Sequence, residues 1–119
     1  MQKVNLKEKF SLFNEHWQPK VVGELNGQLV KLVKFKGEFD WHHHENEDEM
    51  FLVINGSFEL EFRDHTVTLT EGEFCIVPKG IEHRPVALEE VSVMLFEPAG
   101  TKNTGNIDSD KTHINLEKI

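Results

Sequence analysis

Residues 50–62 read Met50-Phe51-Leu52-Val53-Ile54-Asn55-Gly56-Ser57-Phe58-Glu59-Leu60-Glu61-Phe62. In the second half Phe58, Leu60 and Phe62 fall on one side of an extended chain, and Glu59 and Glu61 on the other. A period of two is that of a β-strand with one wet face. Met50 to Ile54 is an apolar segment of strand length, and Asn55-Gly56 between the two is a type I′ hairpin signal. The same grammar extends in both directions. Val21 to Leu25 and Leu29 to Phe35 flank Asn26-Gly27, again a hairpin signal. Val67 and Leu69 alternate with Thr66 and Thr68. Phe74 to Val77 stops at Pro78-Lys79-Gly80, and Val91 to Phe96 is closed by Pro98. Short strands between turn signals predict an all-β sandwich or barrel, with no βαβ units.

The flanks differ. Leu6, Phe10, Phe13 and Trp17 are spaced as one face of a helix, with Asn5 as its cap and Glu8 in capping-box position. Pro19 disfavours helix at Gln18 and marks the end. This helix is expected to lie as a lid on a sheet, without chemistry of its own. Residues 100–119 are polar and predict a loose tail, in which Ile114 and Leu116 alternate and can add an edge strand. The organisation is one domain over 1–119: a helical lead-in over 1–20, a barrel over 21–98 and a polar tail over 99–119.

Composition narrows the function. The chain has 119 residues, 13 of them Lys or Arg and 21 Asp or Glu, a formal charge of −8. That charge opposes nucleic acid and anionic membranes as partners. No apolar run approaches the ~20 residues of a membrane span, and the first residues, Met1 to Phe10, lack the apolar region of a secretory signal. A single cysteine, Cys75, cannot close a disulfide within the chain. A cytoplasmic protein is the expectation. There is no tyrosine, so no mechanism here uses a phenol. Arg63 and Arg84 are the only arginines, which excludes a multi-arginine phosphate clamp.

One constellation carries chemistry. In an extended segment His42 and His44 of Trp41-His42-His43-His44 share a face, and His43 points the other way. Glu49 follows five residues after His44, where the loop 45–48 turns the next strand back beside the first. His83 follows the Pro78-Lys79-Gly80 turn. Three neutral imidazoles and one carboxylate make a mixed nitrogen and oxygen site for a divalent cation, with Mn, Fe, Co, Ni, Cu and Zn all suited to it. Asp48 is the alternative carboxylate. His16, His65 and His113 stand alone and are expected to be solvated, and Cys75 is expected to fill core space. Arg84 follows His83 and so faces away from the metal, which speaks against phosphate binding.

These residues resemble the two motifs of the cupin superfamily. The first reads Gly37, four residues, His42, one residue, His44, four residues, Glu49, six residues, Gly56; the spacer after the first glycine is usually five. The second reads Gly72, five residues, Pro78, one residue, Gly80, two residues, His83, with Ala87 where an asparagine is frequent. The resemblance implies a jelly-roll barrel of six to eight strands, with a metal held by His42, His44, Glu49 and His83. Trp41 to Glu49 and the segment Glu97 to Asn106 are similar to the small single-domain cupins commonly labelled as similar to mannose-6-phosphate isomerase. Four protein ligands on a six-coordinate ion leave two positions open, enough to chelate a hydroxy-carbonyl, an enediol or a diketone. The expectation is a small-molecule enzyme resembling the sugar-isomerase-like cupins. A non-catalytic ligand-binding or sensing module and a metal-dependent oxygenase are the alternatives. No general base stands out in the sequence; Phe39, Phe51, Phe74 and Ile81 are candidates for an apolar pocket wall. Both faces of Leu29 to Lys36 carry apolar side chains, so one needs a cover. The resemblance makes a homodimer the usual cover, built from the N-terminal strands, with the helix supplying part of it.

Overall fold

The computed structural model describes residues 1–119. A short helix, α1 (Leu6–Phe10), is followed by seven strands: β1 (Lys20–Leu25), β2 (Gln28–Glu38), β3 (Glu49–Asn55), β4 (Ser57–Phe62), β5 (Thr66–Thr70), β6 (Phe74–Val77) and β7 (His83–Pro98). The fold is all-β and antiparallel, and a jelly-roll barrel describes it. No helix is long and apolar enough to cross a membrane.

The 16-residue β7 is the spine. Its second half lies between β2 and β3, with Val93 opposite both Val33 and Val53. Its first half lies between the end of β2 and β4, with Val86 opposite Glu38 and Glu59. β2 follows the bend of β7 through an irregularity between Phe35 and Gly37. β6 pairs with β3 and β5 with β4, which closes the two ends of the roll. Inward side chains from both halves meet in one core that includes Val33, Phe51, Val53, Phe58, Leu60 and Val93. Val53, Leu60 and Val93 are fully buried, and each such side chain stabilises the fold by roughly 1.5–3 kcal/mol relative to exposure.

Asn26 and Gly27 have φ of 51° and 79° and join β1 to β2 as the turn signal predicted. Asn55-Gly56 does something else. β3 and β4 do not pair with each other; each pairs with a different half of β7. Gly56, at φ 96°, is a corner between β3 and β4, pressed so close that a Cβ would lie 3.2 Å from the Glu90 carbonyl oxygen. A left-handed glycine serves a hairpin or a corner equally well, and the pairing partner decides which.

The N-terminal segment also departs from expectation. Asn5 caps α1 by accepting the Glu8 N–H at 3.0 Å, but the helix ends at Phe10. Phe13 and Trp17 do not continue its face. Phe10 and Phe13 cover Leu32 on the outside of the sheet, whereas Trp17 enters the barrel core. Trp17 has φ of 63°, a left-handed conformation that costs a bulky side chain on the order of 1–3 kcal/mol and is held by tertiary contacts. The tail is docked. Val21 and Lys118 form a parallel bridge along β1, Lys20 pairs with Glu117 at 2.9 Å, and Thr101 and Thr104 are buried.

Candidate metal centre

The segment from Asp40 to Asp48 contains no strand, yet the backbone of His42, His43 and His44 is held by hydrogen bonds. His42 and His83 form an antiparallel bridge: the His42 N–H donates to the His83 carbonyl at 3.0 Å, and the reverse bond is 2.9 Å. The His44 carbonyl accepts the Gly80 N–H at 2.7 Å. The tail holds His43 between them, for its N–H donates to Asn106 Oδ1 at 2.9 Å and its carbonyl accepts the Asn106 N–H at 3.0 Å. Gly105, at φ 58°, makes that approach possible; a Cβ there would lie 2.2 Å from the His43 oxygen. Extended parity follows. His42 and His44 turn inward and are buried, while His43 turns outward to the Glu45 carboxylate at 2.5 Å.

Glu49 opens β3 and His83 opens β7, so two strand starts deliver the other two side chains. One ligand atom from each of His42, His44, Glu49 and His83 lies within 4.8 Å of the other three, and all four residues are buried. Glu49 Oε1 is 3.3 Å from His44 Nε2 and 3.4 Å from His83 Nε2. These contacts do not satisfy the group as hydrogen bonds: both His44 ring nitrogens, His83 Nε2 and Glu49 Oε1 are buried without a partner. Orphaned polar atoms of this kind are costly unless another species engages them. His42 Nδ1 lies 2.8 Å from the Asp40 carbonyl and His83 Nδ1 2.8 Å from the Ile81 carbonyl. A carbonyl only accepts, so each Nδ1 carries the proton and each Nε2 presents its lone pair to the centre. The donor set fits a divalent transition ion and could hold one.

The charge states agree with that role. Desolvation, reinforced by the neighbouring His83, pushes His42 down to about 4, so it is neutral near pH 7. Burial alone would raise Glu49, but His44, His83 and Glu97 beside it hold it well below the usual carboxylate range. Behind Glu49, the buried Lys31 ammonium donates to the buried Glu97 carboxyl at 2.7 Å. Desolvation and the charge of Glu49 raise Glu97 well above its ordinary value, against the pull of Lys31. Neither Lys31 nor Glu97 stood out in the sequence. Their alternation inside hydrophobic strands was the available signal, since a buried charge requires a partner.

The other candidates fall outside the centre. Asp48 is exposed and accepts the Lys79 N–H at 2.8 Å, so it shapes the loop. Arg84 pairs with Glu61 at 2.8 Å and lies, with Arg63, over the Trp41 ring. Burial raises the half-buried Cys75 thiol, which disfavours its thiolate form. His16 bonds Glu90 and His65 bonds Asp64, both at 2.7 Å at the surface.

An apolar pocket opens beside His42 and Glu49. Its walls are Trp17, Pro19, Val33, Phe35, Phe39, Phe51, Pro85, Leu95 and Asn103. Phe39 and Phe51 therefore line it as expected. Phe74 and Ile81 do not; they are 58% and 45% exposed on the outside of the barrel. Phe74 leaves because β6 pairs its inward register through Cys75 and Val77, opposite Phe51 and Glu49. Trp17 and Asn103 were missed because each reaches the pocket from a flank that carries no strand pattern.

Comparison with known proteins places these features in a family. The family model described as "Cupin domain" matches residues 29–97. The protein YdbB of Bacillus subtilis, itself uncharacterized, is 38% identical over 80 residues, 66% of this chain and 65% of YdbB, so the match spans less than two thirds of that relative. A cupin-2 domain containing protein from Shewanella frigidimarina superimposes with a TM-score of 0.79 at 49% identity, covering 80% of this chain and 93% of that one. Protein NMB1881 from Neisseria meningitidis gives a TM-score of 0.76 at 32% identity, covering 82% and 100%.

Proposed function

The chain belongs to the cupin family, and on that premise we propose that it is a metal-dependent small-molecule protein, most simply an enzyme. In this reading His42, His44, Glu49 and His83 hold a divalent transition ion, and a compact oxygen-donor molecule takes the ion's remaining positions. The observation that carries it is the buried group of unpartnered donor atoms opening onto an apolar pocket. When bound, such an ion supplies Lewis acidity to a chelating oxygen pair. The chain's own part is to exclude water with Phe39, Phe51 and Leu95, to keep the His42 imidazole neutral, and to orient two imidazoles through the Asp40 and Ile81 carbonyls.

The lining bears on the ligand. Asn103 is the only polar side chain in the pocket besides the ligands His42 and Glu49, and both of its amide ends are used, toward the Lys111 carbonyl and the His113 N–H. A sugar needs several hydroxyl partners and a base near its C2, and these walls supply neither, so sugar isomerisation has less support than its family label suggests. A molecule with an oxygen-chelating head and an apolar remainder fits better. That favours, as a second reading, oxygen-dependent chemistry at a redox metal. Metal analysis of protein purified anaerobically tests both. We expect about one divalent ion per chain, lost in His44→Ala; iron supports the oxygenase and zinc or manganese a Lewis-acid reaction. A wild-type protein that takes up no divalent ion at micromolar concentration would overturn both.

We also propose that two copies pair. Phe10 and Phe13 already cover Leu32, which moves the uncovered apolar ground from the N-terminal strands toward β6, where Phe74 and Ile76 are 58% and 55% exposed beside half-buried Met50 and Leu52. Light scattering at micromolar concentration is expected to give a dimer mass, reduced by Phe74→Ser with Ile76→Ser. A monomer mass for the wild type would discard the dimer.

A further inference from the structure

The pocket beside the metal centre is nearly full, and Trp17 fills it. The chain reaches this position by crossing the barrel rim. Phe13 packs outside the sheet on Leu32, and four residues later the Trp17 indole is inside, stacked on Phe35 at 4.5 Å and tilted against Phe39 at 4.9 Å. Residues 13–19 form no helix or strand. Two hydrogen bonds fix the residue: its N–H donates to the Lys34 carbonyl at 2.9 Å and its indole Nε1 to the Lys36 carbonyl at 3.0 Å. Its backbone is left-handed at φ 63°. An aromatic residue gains nothing locally from that conformation, so its ring contacts hold it there. The cavity left beside His42 and Glu49 is about 30 Å³, room for water and little more.

We propose that Trp17 is the specificity-determining wall of this pocket: its indole occupies the place that the carbon end of a metal-chelating ligand would take, so ligand size is set by whether the indole must be displaced. The inference rests on the small-ligand reading above. The favoured ligands carry an oxygen-donor pair and only a few further heavy atoms. Larger flat molecules bind only when the indole, and with it the strap 13–19, gives way.

The test uses the full chain loaded with cobalt(II) and two probes that share one chelating head, acetohydroxamate and benzohydroxamate, followed by the visible cobalt spectrum. In the wild type benzohydroxamate is expected to bind at least about tenfold more weakly than acetohydroxamate, the scale at which a filled apolar pocket discriminates. Trp17→Ala should raise the benzohydroxamate affinity by at least about tenfold and change that of acetohydroxamate less than about threefold, with Trp17→Phe between. Equal benzohydroxamate affinity in wild type and Trp17→Ala overturns the proposal. A cobalt spectrum that neither hydroxamate alters would instead sink the open-coordination reading. Trp17 is then decided without metal: the space vacated by an indole is of the size that admits benzene into apolar cavities, so benzene should raise the melting temperature of metal-free Trp17→Ala and not of wild type. Absence of that shift overturns the proposal on its own.

Discussion

Replacing Gly105 by alanine should loosen the tail from the metal-binding segment. The new methyl carbon would lie 2.2 Å from the His43 carbonyl oxygen, 2.9 Å from its carbon and 3.1 Å from His42 Cδ2. The first two obstacles are backbone and cannot rotate away, so the tail must retreat by about 1 Å or more to restore van der Waals contact. That retreat removes the two hydrogen bonds between Asn106 and His43, of 2.9 and 3.0 Å, each worth about 1 kcal/mol net. Holding alanine at φ 58° adds about 1 kcal/mol. The expected loss is about 3 kcal/mol, a large share of the ~5–15 kcal/mol that holds a domain of this kind together. Urea unfolding of the metal-free variant measures it, and amide exchange at Asn106 localises it. Because the methyl also presses on His42, weaker metal retention against a chelator should accompany the loss. A variant within about 0.5 kcal/mol of wild type, with Asn106 still protected, would show that the tail does not brace this segment.

Other outcomes follow from the same geometry. His44→Ala should lower metal content far more than His43→Ala, because His44 turns inward and His43 outward; equal losses measured by metal analysis would refute the parity. A chelator should lower the melting temperature by mass action yet leave the β-sheet circular dichroism intact, since Val53, Leu60 and Val93 are buried in a core built from apolar side chains; unfolding at room temperature in chelator would contradict this. The metal-free protein should lose stability in acid. His42 ordinarily titrates near 6.5 and is pushed down to about 4 in the fold, so the unfolded chain takes up its proton first. The stability present above pH 6.5 therefore falls as the pH drops toward 4, by up to about 3 kcal/mol. His42→Gln should flatten that slope in a series of denaturation curves, and an unchanged slope would assign it elsewhere.

What the sequence determined by itself was whatever depends on neighbours along the chain. The alternation of Phe58 and Leu60 with Glu59 reads the same in the barrel, and only at the strand's end, where Glu61 and Phe62 are both half-buried, does it fade; a strand's two faces follow from extended geometry alone. His42 and His44 converge for the same reason, and the motif spacing brings Glu49 and His83 to strand starts beside them. Tertiary structure decided everything that needs a partner from far along the chain. Asn55-Gly56 looks like a hairpin and is a corner, because β7 accepts β3 and β4 on separate halves. Trp17 sits at helical spacing from Phe10 and Phe13, yet Leu32 takes Phe13 outside while Phe35 takes Trp17 inside, and the chain gives up helix to satisfy both. The polar tail carries no pattern beyond the short alternation of Ile114 and Leu116, because it is held at separate points, Asn106 on His43 and a lone bridge of Lys118 with Val21, which leave no longer repeat on side chains. The pocket's size belongs to this second class, since Trp17 and Asn103 meet there only after both ends of the chain have folded over the barrel.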